Sequence, residues 1–431
     1  MTRPWRLGRR EFLRSLGLAG ALLLAPGIGA QRLPRTGFER SGDRAWTSED
    51  DEAALLAALA SRSSRVAVAA VGRSRTGRPV RLARVGAARG PAVLFVCAQH
   101  GHEPASREAA LELLRDLAFT SDPVVLAQLR HQAVLAIPTA NPDGRAAGTR
   151  GNGAADLNRD HLALDQPETR ALHAALRAWS PDVVVDLHEY RPPDATRFHH
   201  DLLYLWPRNL NVDPRLRALS QALGAAVARG ARGAGLTADQ YGRAARQAAM
   251  GPDPALPGGG DEAILRNAAG LSHRLGLLVE TAVTLEGDAA GHRVTALRAR
   301  VQAQRRVMED VLGFLRRHGQ RAHAACGAAS RRRAAAGATA SRPVFFGGAD
   351  DHPPAPAEVA DPPPCRYLVD SVQAERLAGV FALHGVRAEP AAGAAVAVPM
   401  AQPAASLIPL LLDPRARRAL TAGRPAWCVS G

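Results

Sequence analysis

The 431-residue chain contains no lysine, so all 55 of its basic residues are arginine. Arginine in place of lysine, beside 40 glycines and 31 prolines, reads as a coding bias spread along the whole chain. The formal charge of +15 is scattered, and no Gly-rich phosphate loop or aromatic–basic pattern accompanies it. A nucleic-acid partner is therefore not expected. Aromatic residues make up only 4% of the chain, which leaves Ala, Leu and Val to build the core. The four cysteines (Cys97, Cys326, Cys365 and Cys428) include no CxxC pair, which argues against a thiolate metal site. Cys97 lies in an apolar run and reads as a buried free thiol. Among the other three the sequence does not choose a disulfide pairing.

What is present begins with an address. Arg9 and Arg10 precede a mildly apolar stretch from Leu16 to Ile28. This resembles a twin-arginine export signal, and the stretch is short for a bilayer span. Residues 1–30 are expected to be a signal peptide and 31–44 a leader. The mature protein would then face the periplasm or the exterior, with no stable membrane span unless the signal is retained.

From 45 to 320, short apolar runs alternate with helical periodicity, the pattern of an α/β fold. Buried strands are expected at Ala92–Ala98, Ala133–Ile137, Val183–Leu187 and Leu277–Val279. Helices are expected at Arg107–Leu117, Glu168–Trp179 and Val294–Leu315. The Ala-, Arg- and Pro-rich stretch 321–364 reads as a linker, and 365–431 as a small α/β accessory module. That module would hold strands near Tyr367–Val369 and Ala395–Val398, a helix through Glu375–Leu383 and another from Ser406.

Each expected strand of the larger domain runs into polar, titratable residues. The first leads to Gln99-His100-Gly101-His102-Glu103, the second to Asn141-Pro142-Asp143-Gly144, the third to His188-Glu189 and the fourth to Glu280-Thr281. Open α/β sheets bind ligands outside the carboxyl ends of their strands. His100 and Glu103, three apart, could both face one ion, and His188 supplies a third ligand from another strand. Two imidazoles and a carboxylate suit a catalytic Zn²⁺ with an open position for water. Alone, the His–Glu spacing is common and His188 would read as a core histidine. Glu280, a carboxylate ending an apolar strand, needs a partner or a task, and general base beside a metal is such a task. Arg150, Asn152, Asn158 and Arg159, with Asp156 among them, form a donor-rich segment whose guanidinium and amide groups suit carboxylates or a developing oxyanion.

Together these pieces resemble the M14 zinc metallocarboxypeptidases. Gly72–Pro79 is similar to the GxSxxGRP turn, His100–Glu103 to the HGxE ligand pair, Asn141–Gly144 to NPDG and Asp156–Arg159 to DLNR. Pro167-Glu168-Thr169 is similar to the PET helix start and Asp186–His188 to the DxH strand. The resemblance implies a mixed sheet of about eight strands between helices, one Zn²⁺ held by His100, Glu103 and His188, and Glu280 as the base. It further implies that Arg150 stabilises the oxyanion, that Asn158 and Arg159 grip the substrate's terminal carboxylate, and that Asp156 orients His100. The compact motif spacing is similar to that of short bacterial members such as murein tripeptide amidases, so a cell-wall stem peptide joins the candidate peptide substrates. The mobile tyrosine of the family has no matching motif here; Tyr241 and Tyr204 lie in the right interval. Glu189, where many members have Ser, would favour an amino group on the substrate or pair with Arg191. Gly258–Asp261 is a candidate lining of the specificity pocket. An N-acyl amino acid deacylase and a periplasmic peptide- or wall-binding protein with a degenerate peptidase fold are the alternatives.

Overall fold

Alternation along one strand sets the two faces of the central sheet. Val183, Val185 and Leu187 of β5 (Val183–Tyr190) enter one apolar cluster, and Val184 enters another on the opposite face. Buried on both faces, such a strand is apolar throughout rather than alternating. The computed structural model of the protein describes residues 33–191, 200–242, 259–283 and 293–428.

The sheet has eight strands: β1 (Val66–Arg73), β2 (Pro79–Gly86), β3 (Ala92–Val96), β4 (Ala133–Ile137), β5, β6 (Leu202–Leu205), β7 (Ala238–Gln240) and β8 (Leu275–Ala282). Their spatial order is β1-β2-β4-β3-β5-β8-β6-β7. The inner strands β4, β3, β5 and β8 run parallel, whereas β1, β2 and β4 pair antiparallel, as do β6 and β8. The sheet is thus mixed, as expected. One face carries helices Glu49–Arg62, Ala105–Phe119, Pro214–Gly233 and Arg293–Ala338. The other carries Pro167–Trp179 and Leu265–Leu271. The second face and the carboxyl ends of the inner strands hold the site described below.

The stretch expected as a linker is not one. Helix Arg293–Ala338 runs unbroken through residues 321–338. Alanine is the strongest helix former, so an Ala-rich, low-complexity composition here continues a helix. Arg332 bonds Asp213 at 2.8 Å, and the buried Arg333 donates to the Ala405 carbonyl at 3.0 Å. The C-terminal segment forms a four-stranded antiparallel sheet of Glu389–Pro390, Ala395–Pro399, Arg366–Asp370 and Arg424–Ala426, with helix Ser371–His384 packed beside it. A Cys365–Cys428 disulfide closes this unit. Its core is continuous with the larger domain, since Leu162, Leu164, Val212 and Leu271 join Tyr367, Val398 and Leu411 in one cluster.

Two buried histidines stitch the two parts together. His384 Nε2 meets the Leu162 carbonyl at 2.8 Å, and His273 Nε2 meets the Pro403 carbonyl at 2.8 Å. Burial pushes both imidazoles down from 6.5 to about 4. Both are neutral in the folded and the unfolded chain at pH 7. As pH falls from 6.5 to about 4, only the unfolded chain takes up these protons, so stability falls across that window and levels below it. Each shift corresponds to about 3 kcal/mol when fully expressed. Melting curves are expected to hold a flat midpoint above pH 7 and to drop through pH 6.5–4. The double variant His273→Gln, His384→Gln should make that slope shallower without removing it, because burial also holds His161 and His173 below the usual value. An unchanged slope would exonerate these histidines.

Candidate active site

The ligand segment begins where β3 ends. Ala98 takes a φ of 47°, a left-handed turn uncommon for a residue with a side chain. This turn sends Gln99 and His100 toward the open end of the sheet. Gly101 must be glycine: a Cβ there would stand 1.9 Å from the Gly144 carbonyl carbon. The Asn141–Gly144 turn is thereby locked under the ligand loop. Asn141 accepts from Gly144 N at 2.8 Å and donates to the carbonyls of Gln99 and Arg150, each at 3.2 Å. Asp143 is tied in turn to the Gly72–Pro79 turn, accepting from Ser74 Oγ at 2.7 Å and Thr76 N at 2.9 Å.

His100, Glu103 and His188 converge. One ligand atom from each lies within 4.8 Å of the others, and all three residues are buried. His100 Nδ1 is 2.7 Å from Glu103 Oε1, His188 Nδ1 is 2.8 Å from Glu103 Oε2, and the two Nδ1 atoms are 3.0 Å apart. The opposite edge of each imidazole faces a carboxylate. His100 Nε2 lies 3.1 Å from Asp156 Oδ1, and His188 Nε2 lies 2.8 Å from Asp186 Oδ1. A proton on each Nε2 satisfies these carboxylates and leaves both Nδ1 lone pairs facing the common centre.

The electrostatics of the cluster favour a cation. Burial opposes charge on His188, but the Asp186 and Glu103 carboxylates outweigh it and hold its pKa well above the usual value. Burial likewise opposes ionisation of Glu103, yet the two imidazoles hold its carboxyl well below the usual range. Three carboxylates around two imidazoles in a buried pocket thus demand positive charge, and a divalent ion on the two Nδ1 atoms and Glu103 supplies it. Donor number and type fit Zn²⁺. Asp156→Asn is expected to weaken metal binding about 10- to 100-fold, measured by competition with a chelating dye. Equal affinity would mean that Asp156 does not orient His100.

Glu280 stands opposite the third ligand. β5 and β8 pair in parallel register with His188 across from Glu280. Side chains in register share a face, so the two lie side by side on the sheet's second face. Burial drives the Glu280 pKa up to about 7; the imidazoles of His188 and His100 work against this rise and the Glu103 charge adds to it.

Arg150 Nε donates to Asp156 Oδ2 at 2.9 Å, which leaves its half-exposed Nη groups without a hydrogen bond among the described residues. Arg159 is exposed and donates from Nη1 to the Asn158 carbonyl at 2.7 Å. Of the two tyrosines, Tyr204 packs its ring against Gly224 on the far face of the sheet. Tyr241, at the end of β7, lies within electrostatic reach of Glu280, Arg266, Arg159 and Arg150. Burial and then the Glu280 charge push its phenol up to about 12.

Asn158 is buried in the site: its Nδ2 donates to Asp186 at 2.9 Å and its Oδ1 accepts from Leu265 N at 2.9 Å. Its amide braces the third ligand from behind. Glu189 is neither in the site nor paired with Arg191. One residue beyond His188, it points to the opposite face, where it meets Arg300 Nε at 2.8 Å and Ala105 N at 2.9 Å. Sequence reasoning passed over Gln99, which donates to Asp186 at 2.8 Å, and the buried Arg266. Adjacency to His100 was the available signal for Gln99. Arg266 sits in an ordinary helix, and nothing in its sequence context marks it.

Residues 52–193 match the family model described as Zinc carboxypeptidase, Peptidase_M14. The chain is 33% identical over 197 residues to Carboxypeptidase 2 of Trichophyton rubrum, covering 42% of this chain and 35% of the relative. It is 33% identical over 196 residues to Carboxypeptidase 2 of Trichophyton equinum, with 42% and 35% covered. The chain therefore spans about a third of the length of these relatives. Among solved structures, a metallo-carboxypeptidase from Burkholderia cenocepacia aligns with a TM-score of 0.47 and 19% identity, over 62% of this chain and 70% of that one.

Proposed function

We propose, from the premise that residues 52–193 belong to the M14 zinc carboxypeptidase family, that this chain hydrolyses the C-terminal peptide bond of a peptide with one Zn²⁺ ion. The observation that carries the reading is the convergence of His100, Glu103 and His188 on one point, with Glu280 in register beside them. A Zn²⁺ held by those three residues would supply Lewis acidity, polarising a carbonyl and acidifying a water.

The remaining chemistry belongs to the chain. Glu280, with a pKa raised to about 7 by burial, takes a proton from the water as its oxygen attacks the carbonyl carbon. It returns that proton to the amine nitrogen as the C–N bond breaks. Arg150 donates to the developing oxyanion. Arg159 receives the terminal carboxylate of the substrate. Tyr241, protonated throughout the neutral range, is a donor on the same side. Asp156 and Asp186 keep the two imidazoles oriented.

We further propose that the protein is exported through the signal read in residues 1–30, which lie outside the described residues. The Cys365–Cys428 disulfide supports an oxidising compartment. Among the described residues no helix is long and apolar enough to cross a membrane. Mass spectrometry of peptide digests, with cell-wall stem peptides and N-acyl amino acids as separate arms, tests the assignment. Release of single C-terminal residues, abolished by a chelator and restored by zinc, is expected. Turnover of N-acyl amino acids alone would favour the deacylase.

A further inference from the structure

Three arginines stand among the largest fully buried side chains of the protein: Arg107, Arg208 and Arg266. Two of them have counter-charges. Arg107 meets Glu52 at 2.7 Å and Glu108 at 3.3 Å, and Arg208 pairs with Asp350 and Asp351. Arg266 has none among the described residues. Its Nη2 donates to the Gly259 carbonyl at 2.7 Å, and its Nε is buried with no acceptor. An unpaired buried cation is costly, and burial has pushed this guanidinium down to about 10. Arg274 and Arg333 are buried without a counter-charge among the described residues too, so it is the position of Arg266, near the candidate site, that points to a bound anion.

Its position says which anion. Arg266 follows Leu265, whose amide is held by Asn158, the residue that braces Asp186 behind His188. Among the described residues, the ionisable groups near Arg266 include Tyr241, Arg208, Asp186 and Arg159. Tyr241 in turn feels Glu280, Arg266 and Arg159 together. The two guanidinium groups therefore share one neighbourhood with the base. The Gly259–Asp261 backbone forms part of that wall, since Asn267 Nδ2 also donates to the carbonyls of Gly259, at 3.1 Å, and Asp261, at 2.8 Å.

We propose that Arg266 is a specificity-determining residue that receives the side-chain carboxylate of an acidic C-terminal residue, glutamate or aspartate, while Arg159 receives the terminal carboxylate. This inference rests on the carboxypeptidase reading above. A substrate with two carboxylates supplies both cations with partners. A basic side chain would meet like charge in a buried setting, and a neutral one would leave Arg266 unpaired.

The test uses the zinc-loaded full chain and N-acyl dipeptides identical except for a C-terminal Glu, Gln, Leu or Arg. Wild-type kcat/KM is expected to be about 100-fold higher for Glu than for its isostere Gln, and lowest for Arg. In Arg266→Met the Glu-to-Gln ratio should collapse to about one, whereas Arg266→Lys, which keeps the charge, should preserve the order. Circular dichroism and zinc content check that the variants fold. The wild-type panel decides even if they do not. A wild type that prefers Leu or Arg ends overturns the inference and leaves the carboxypeptidase reading intact, as does a ratio unchanged in Arg266→Met. A wild type that cleaves none of the four removes both.

Discussion

Glu280→Gln is expected to lower kcat by roughly 10²- to 10⁴-fold, the range associated with a lost general acid–base group. Zinc content should stay at one ion per chain. The amide matches the carboxylate in shape but cannot take a proton from water. Because Glu280 stands beside His188 in register rather than among the three ligand atoms, metal binding should survive the change. The variant removes the like charge near Glu103, so the rate falls and metal affinity does not. Steady-state kinetics alongside metal analysis separates these effects. A variant with wild-type kcat would remove the base from the mechanism, and one that lost zinc would make Glu280 a ligand.

His188→Ala is expected to abolish both zinc retention and hydrolysis. It removes one of three donors and leaves the buried Asp186 without the imidazole it holds at 2.8 Å. Affinity should fall on the order of 10³-fold or more, beyond the 10- to 100-fold typical of losing an outer partner such as Asp156. Chelated wild-type protein provides the comparison. Added zinc should restore its activity but not that of the variant. Activity that survived both chelation and this substitution would place the reaction elsewhere.

Much of this site was legible in the sequence because strand ends announce themselves. An apolar run buried on both faces has one length and one direction, so the polar residues that follow it fall at the open edge of the sheet. That logic brings His100, His188 and Glu280 to one edge from the sequence alone. What it could not supply was the facing of residues next to the ligands. Asn158 and Arg159 are adjacent, yet a short helical turn buries one behind His188 and exposes the other. Glu189 is lost to the opposite face by the same one-residue parity that puts His188 in place. The long helix through Ala338 was hidden for another reason: alanine, glycine and arginine in bulk look like disorder, and only packing against the C-terminal unit shows which face is buried. Arg266 was invisible because what distinguishes it is the absence of a carboxylate partner among the described residues, which a sequence does not display.

The most direct test is a crystal structure of the zinc-loaded protein with anomalous data collected at the zinc edge. One strong peak is predicted about 2.0–2.2 Å from His100 Nδ1, His188 Nδ1 and a Glu103 oxygen, with the Glu280 carboxylate beside its open side. A peak at other residues, or an ion bound through the Nε2 atoms that face Asp156 and Asp186, would contradict the account.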